Sequence, residues 1–217
     1  MDSLINIFSD KKILITGHTG FKGSWLSLWL SQLGANIYGI SLNIPTSPSN
    51  YQSSEIGDLV NDIRIDVRDF EKLKNYVCEI QPDFIFHLAA QPLVNLSFAN
   101  PIETWETNTL GTLNLLESIR LNLKKCVAVF ITSDKVYDNK EWSWGYREID
   151  KLGGSDPYSA SKASAELSIS SYNRSFFNNS DDIRICSVRA GNVIGGGDWA
   201  LNRIIPDCLR SWMKSEP

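Results

Sequence analysis

Ile13-Leu14-Ile15-Thr16-Gly17-His18-Thr19-Gly20-Phe21-Lys22-Gly23 is the stretch that decides the fold. Ile13 to Thr16 is a short apolar, β-branched run of the kind that forms a buried parallel strand. Glycines at 17, 20 and 23 follow at once, spaced G-x-x-G-x-x-G. Ser24 to Leu33 reads as a helix with Trp25, Leu26, Leu28, Trp29, Leu30 and Leu33 apolar, and Gly34 ends it. Ile37-Tyr38-Gly39-Ile40 is a second strand. Strand, glycine turn, helix and strand within about thirty residues make one βαβ unit. Such a turn lets the backbone approach a pyrophosphate while the helix N-terminus faces its charge. Gly17, His18, Thr19, Gly20, Phe21, Lys22 and Gly23 are therefore candidate contacts of a dinucleotide. NAD is the expected cofactor, although the second strand ends Ser41-Leu42-Asn43, without the acid that usually holds the ribose. Asn43 is the candidate in its place.

The same alternation continues outward. Thr46 to Ser54 is a polar loop. Ile63 to Val67 is a third strand, with Asp66 and Val67 set toward the adenine. A helix over 70–80 leads to a fourth strand, Phe84 to Ala90. Its end, Leu88-Ala89-Ala90, lets a dinucleotide lie close, and His87 inside it reads as a satisfied core histidine. Pro101 to Asn122 reads as one long helix carrying Asn108, a candidate cofactor contact whose alternative role is a helix–strand hydrogen bond. Val127 to Thr132 is the fifth strand and delivers Ser133-Asp134-Lys135 at its end, where ligands bind in such sheets. Residues 138–156 form a polar, tryptophan-bearing loop of a length often used as a cover. A helix over 158–177, a sixth strand within 181–189, a glycine-rich loop over 190–198 and a helix from Asn202 to Met213 complete the chain. The pattern predicts a Rossmann-like doubly wound parallel sheet with helices on both faces.

Tyr158 and Lys162 stand one turn apart on one helical face. A lysine cation beside a phenol favours the phenolate, which makes the tyrosine a base for alcohol oxidation. Composition narrows the partners. A net charge of −4, with basic residues scattered, excludes nucleic acid as the main partner. Cys78, Cys126, Cys186 and Cys208 form no Cys-x-x-Cys pair, so neither a disulfide framework nor a metal site is expected. No apolar run reaches the ~18 residues of a membrane span and no signal peptide precedes the fold, so a cytoplasmic protein is expected.

Four stretches together carry a resemblance: Gly17 to Gly23, Thr132-Ser133-Asp134-Lys135-Val136-Tyr137, Tyr158-Ser159-Ala160-Ser161-Lys162, and Arg189 to Asp198. Over nearly the whole chain they resemble the extended short-chain dehydrogenase/reductases. The Ser-Asp-Lys triplet and the His-Thr-Gly-Phe-Lys-Gly turn are similar to the branch that dehydrates CDP-glucose, where the dTDP-glucose branch has Thr-Asp-Glu. The resemblance implies a nucleotide-sugar substrate, NAD oxidation at C4, loss of water across C5–C6 and hydride return to C6. It implies Tyr158, Lys162 and Ser133 for the hydride step, Lys135 as C5 base and Asp134 as the acid at C6. The acid role requires a dry or like-charged pocket. Asp66 is implied to meet the adenine, and Gln91, Ser133 and Asn192 to meet substrate. It further implies an NAD-binding domain over 1–198, the start of a C-terminal substrate domain over 199–217 with most of that domain absent, and a homodimer formed through the helices at 103–122 and 157–177. An epimerase, an NADP enzyme and a non-catalytic dinucleotide-binding module remain the alternatives.

Overall fold

The computed structural model describes residues 2–180 and 182–215. Six strands form one sheet: β1 (Lys12–Thr16), β2 (Asn36–Ser41), β3 (Asn61–Arg64), β4 (Phe84–His87), β5 (Cys126–Ile131) and β6 (Ile183–Val188). They are ordered β3-β2-β1-β4-β5-β6 and every neighbouring pair is parallel. The order reverses between β1 and β4, so a crevice opens at their carboxyl ends. The helices are α1 (Asp2–Phe8), α2 (Phe21–Gln32), α3 (Asn50–Ser53), α4 (Phe70–Ile80), α5 (Val94–Ala99), α6 (Pro101–Trp105), α7 (Gly111–Asn122), α8 (Pro157–Tyr172) and α9 (Ile204–Met213).

Apolar side chains cover both faces of the sheet. Leu73, Tyr76, Val77 and Ile80 of α4, Leu115, Leu116 and Ile119 of α7 and Ile169 of α8 pack on one face against Leu14, Ile85, Ala128 and Phe130. Leu30 and Leu33, with Leu4 and Phe8 of α1, cover Ile13, Ile15 and Ile37 on the other. Each such side chain taken from water contributes about 1.5–3 kcal/mol, which is why β1 reads as a continuous apolar run. The ends of the elements follow local chemistry. Asp69 caps α4 by accepting from the Lys72 amide at 3.1 Å, and Asp156 caps α8 by accepting from Ser159 at 2.9 Å, with Pro157 at the first helical position.

The elements depart from the sequence reading in several places. α2 begins at Phe21, so Gly23 lies inside its first turn. β3 ends at Arg64, leaving Asp66 and Val67 in the loop beyond it, and β4 ends at His87. α1 and α5 are helices the periodicity does not announce, because each is under two turns. The helix expected over 101–122 is interrupted at Glu106–Leu110 by a wide π turn, and α8 runs into a second one at Asn173–Phe177. A short helix, α3, sits in the loop expected over 46–54.

Candidate active site

The crevice begins at the glycine turn. Gly17 has φ of +75°, and a Cβ there would lie 2.8 Å from the nitrogen of Ala89, in the segment that follows β4. Only glycine meets both conditions. Its N–H donates to Ile40 O at 2.7 Å, and Ser24 Oγ donates to His18 O and Gly20 O at 3.1 and 2.9 Å, closing the turn onto α2. No side chain caps the N-terminus of α2, so its first amides and the dipole behind them face the crevice. Thr16 Oγ1 accepts from the Leu88 and Ala89 amides at 3.1 and 3.0 Å, holding the Leu88-Ala89-Ala90 segment against the turn.

His18 does not face this crevice, which corrects the expectation of a cofactor contact. It is fully buried, with Nδ1 3.0 Å from Ser41 Oγ and Nε2 3.1 Å from Asp62 Oδ1. A Cβ on Gly39 would lie 2.5 Å from its ring, which explains a glycine in the middle of β2. Burial pushes its pKa down, against the opposing pull of Asp62. His18 braces β2 from behind the turn. Thr19 is likewise buried and donates to Asn43 O at 2.6 Å, fixing the Asn43 backbone while its side chain stays exposed. Asp66 lies beyond β3 with both carboxylate oxygens held by Arg68, the closest contact at 2.6 Å. Partial burial pushes this carboxyl up, but Arg68 outweighs it and the net shift is downward.

Gln91 and Asn108 spend their side chains on each other's surroundings. Asn108 accepts from the Gln91 amide at 2.8 Å and donates to Gln91 O and Ser161 Oγ at 3.1 and 2.9 Å. Gln91 Nε2 donates to Thr104 Oγ1 at 2.9 Å and Leu93 O at 3.0 Å, and its Oε1 accepts from Leu93. Both shape the floor of the site, correcting the expectation that they offer free groups to substrate or cofactor.

At the end of β5, Ser133 Oγ donates to Asp134 Oδ1 at 3.1 Å and accepts from the Lys135 amide at 3.2 Å. Asp134 and Lys135 stand half exposed, with Nζ and Oδ1 3.8 Å apart. The dry pocket expected around Asp134 is not formed by the described residues. Asp134 lies under the 190–198 loop, where a Cβ on Gly191, next to Asn192, would sit 3.5 Å from Oδ2. Trp25 Nε1 ties that loop to α2 by donating to Gly196 O at 2.8 Å.

Tyr158 opens α8, its amide donating to Ser97 Oγ at 3.2 Å. Burial raises its phenol pKa, and Ser133 and Arg203 pull it back. Lys162 is 4% exposed and donates from Nζ to Ile131 O at 3.0 Å. Burial and the charge of Lys22 push its ammonium down to about 8, against the pull of Glu166. Two groups escaped the sequence reading. Arg203 reaches in from the start of α9; its Nε is buried without a hydrogen-bond partner and its charge acts on both Lys22 and Tyr158. No motif marks an arginine at that position. The other is Glu166, four residues after Lys162, a spacing that was there to be noticed. Among the described residues, no three His, Cys, Asp or Glu side chains group to hold a metal, and no helix is long and apolar enough to cross a membrane.

The sheet order, the glycine turn at its first crossover and the Ser133, Tyr158 and Lys162 set together define an extended short-chain dehydrogenase/reductase. A family model for GDP-mannose 4,6-dehydratase matches residues 14–196, and the chain belongs to that family. It is 52% identical over 97% of its length to a CDP-glucose 4,6-dehydratase of Salmonella typhimurium, and covers 60% of that protein. It is 31% identical over 83% of its length to a CDP-paratose 2-epimerase of Salmonella typhi, covering 58% of it. Among solved structures it is similar to a Thermus thermophilus UDP-glucose 4-epimerase in complex with NAD, with a TM-score of 0.80 and 28% identity, covering 95% of this chain and 64% of that one. The chain spans about 60% of the length of the relative it shares most identity with among these.

Proposed function

We propose that this chain carries the NAD-binding and catalytic part of a CDP-glucose 4,6-dehydratase acting in the cytoplasm. The observation that carries the reading is the meeting of Ser133, Tyr158 and Lys162 beside the Asp134–Lys135 pair at the end of β5. The turn fits NAD: glycines at 17 and 23 let the backbone of the turn close on Ala89 and on itself, which leaves the uncapped α2 N-terminus facing the crevice as an anion site. Gly17, Gly20, Gly23 and the Phe21 and Lys22 segment hold the pyrophosphate, Asn43 the ribose, Asp66 and Val67 the adenine, and Leu88 to Ala90 line the middle. NAD, when bound, supplies the hydride acceptor and donor.

This chain's own residues handle protons. Tyr158 takes the proton of the C4 hydroxyl, and Ser133 hydrogen-bonds the same oxygen. Once C4 is a ketone the C5 proton is acidic, and Lys135 removes it in its neutral form. Asp134 protonates the departing C6 hydroxyl, and water leaves. Lys135 gains the proton that Asp134 loses, so the step turns a neutral carboxyl–amine pair into an ion pair. As hydride returns to C6, Lys135 gives a proton, exchanged with solvent, to C5; the proton Tyr158 took from the C4 hydroxyl passes to solvent, and Asp134, 3.8 Å from Lys135, is reprotonated from there. Asn192, in the loop over Asp134, is the residue that meets substrate in this reading. Residues 1–198 form the NAD-binding domain, and 199–217 belong to a substrate-binding unit that completes the nucleotide pocket. A homodimer through α6–α7 and α8 is supported by the exposed Ile102, Leu110, Leu121, Leu167 and Phe176 on those helices and their π turns.

The test is product analysis by NMR in heavy water, with NAD and, in parallel, CDP-glucose, dTDP-glucose and UDP-glucose. A C6 methyl with deuterium at C5, from CDP-glucose alone, is expected. Product from another sugar nucleotide, or a C4 epimer without loss of water, would sink the reading.

A further inference from the structure

The helix that carries Tyr158 and Lys162 carries a third ionisable group on the same line. Glu166 stands one turn further on, 5% exposed, with its carboxylate fully engaged. Thr132 Oγ1 donates to it at 2.5 Å, Ser187 Oγ at 2.8 Å, and Arg189 Nε and Nη2 at 3.0 and 3.2 Å. These partners come from the ends of β5 and β6. Ile131, which receives the Lys162 ammonium, and Thr132, which bonds Glu166, are consecutive. Successive turns of α8 are thus stapled to successive residues of the strand that leads directly into Ser133. Arg189 extends the clamp: Nη1 donates to Tyr137 Oη at 2.9 Å and Glu148 O at 3.2 Å, and the guanidinium lies 4.9 Å from the centre of the Tyr137 ring. Tyr137 closes the turn that holds Ser133, Asp134 and Lys135.

We propose that Glu166 is a positioning residue that sets the register of the Tyr158–Lys162 helix on the Ser133 turn and holds a negative charge one helical turn from the Lys162 ammonium. The inference rests on the reading of Ser133, Tyr158 and Lys162 as the hydride-transfer set. Glu166 takes no part in the proton transfers, since strand ends enclose it. Its environment keeps it ionised: burial pushes its pKa up, but Arg189, Thr132 and Ser187 outweigh burial. Among the described residues, the titratable groups that act on Lys162 or on which it acts are Lys22 from α2, His87 from β4 and Glu166 from its own helix. Glu166 is the one anion among them. Without it, burial and Lys22 act on the ammonium unopposed.

The test compares Glu166→Gln, which keeps the shape and removes the charge, with Thr132→Val, which removes one contact and keeps the charge. Lys162 is followed by NMR in protein labelled with 13C at lysine Cε, its resonance assigned by its loss in Lys162→Met. Its titration midpoint falls by roughly one pH unit in Glu166→Gln and stays put in Thr132→Val. A midpoint unmoved in Glu166→Gln overturns the charge role. Turnover of CDP-glucose with NAD across pH supplies the second readout. Glu166→Gln loses about tenfold or more in kcat with KM changed less than about twofold, and its alkaline limb moves down with the NMR midpoint. Thr132→Val lowers kcat without moving that limb. A Glu166→Gln protein as active as wild type overturns the positioning role. Should Glu166→Gln fail to fold, Glu166→Asp is used: it keeps the Lys162 midpoint but lowers kcat, and full activity in it is the refuting result. If this chain, which spans about 60% of the length of its relative, makes no product, the Lys162 midpoints decide the inference by themselves, and the functional reading is tested separately with the downstream sequence restored.

Discussion

Replacing Gly23 by alanine tests the nucleotide turn at its tightest point. A Cβ at residue 23 would sit 2.1 Å from Gly17 O, 2.7 Å from His18 Cα and 2.8 Å from Gly17 C. Ordinary contact begins near 3.4 Å, so the carbonyl and the helix must part by about 1.3 Å. Every atom in the way is backbone, so no side chain can swing aside. Overpacking of this kind costs about 3 kcal/mol at the upper end of its usual range. Alanine returns about 1 kcal/mol through better helix propensity. The net loss is about 2 kcal/mol, which for a chain of this size lowers Tm by about 4–8 °C. The larger effect falls on NAD. Hydrogen bonds from the first amides of α2 stretched by an ångström are lost, and at about 1.5 kcal/mol each the affinity drops roughly tenfold per bond. Calorimetric melting and titration with NAD read both quantities. Gly20→Ala is the control, since its Cβ would stand 3.3 Å from Gly17 O and needs only a few tenths of an ångström. If Gly23→Ala melts within about one degree of wild type and binds NAD equally well, or if Gly20→Ala is just as damaged, the account of the turn is wrong.

Tyr158→Phe is expected to keep NAD affinity while kcat falls on the order of 10²–10⁴-fold, the range of a lost general base; a fall below tenfold would remove the tyrosine from the proton-transfer role. His87 makes the fold acid-sensitive. Burial and the Lys162 charge depress its pKa to about 3, so the folded state stays unprotonated while the unfolded chain takes a proton below about 6.5. Stability therefore falls as pH drops from about 6.5 toward 3, by about 2 kcal/mol at pH 5. Urea unfolding of His87→Gln at pH 7 and pH 5 should lack this loss, and an acid limb as steep as wild type would refute it. Arg203→Met removes a charge that lowers the Tyr158 pKa, so the acid limb of the rate profile moves to higher pH. An unmoved limb would show that Arg203 does not act on the phenol.

Much of the fold was legible because it is written in local patterns. Ile13 to Thr16 is apolar on both faces since helices cover both faces of β1, and that run announces a parallel sheet. The Tyr158–Lys162 spacing and Ser133 at a strand end were legible for the same reason: helical period and strand polarity place them without knowledge of the rest. What the sequence hid depends on distant packing. His18 sits within a phosphate-binding motif, yet Asp62, 44 residues on, turns it inward. Gln91 carries no pattern that announces its bonds to Leu93 and Thr104, whereas a hydrogen-bonding role for Asn108 could be read from its place inside an apolar helix. Arg203 has no pattern around it and gains its meaning only from Lys22 and Tyr158, which reach it from α2 and α8.

The wide turn at Glu106–Leu110 has a genetic consequence. A regular helix turns about 100° per residue, so Thr104, Asn108 and Thr112, four apart, would drift around a regular cylinder. The π turn takes up the surplus and keeps all three buried in one row. Such a turn is what a helix becomes when it has swallowed one extra codon without moving the flanking halves. Losing a single codon between 106 and 110 would restore regular hydrogen bonding with the flanking halves in place, but it would change which side chains of the turn face Gln91 and Ser161. Asn108 and Thr109 inside the turn are held in kind by their bonds to Gln91 and Ser161, and a relative without the wide turn is expected to show a one-residue gap there.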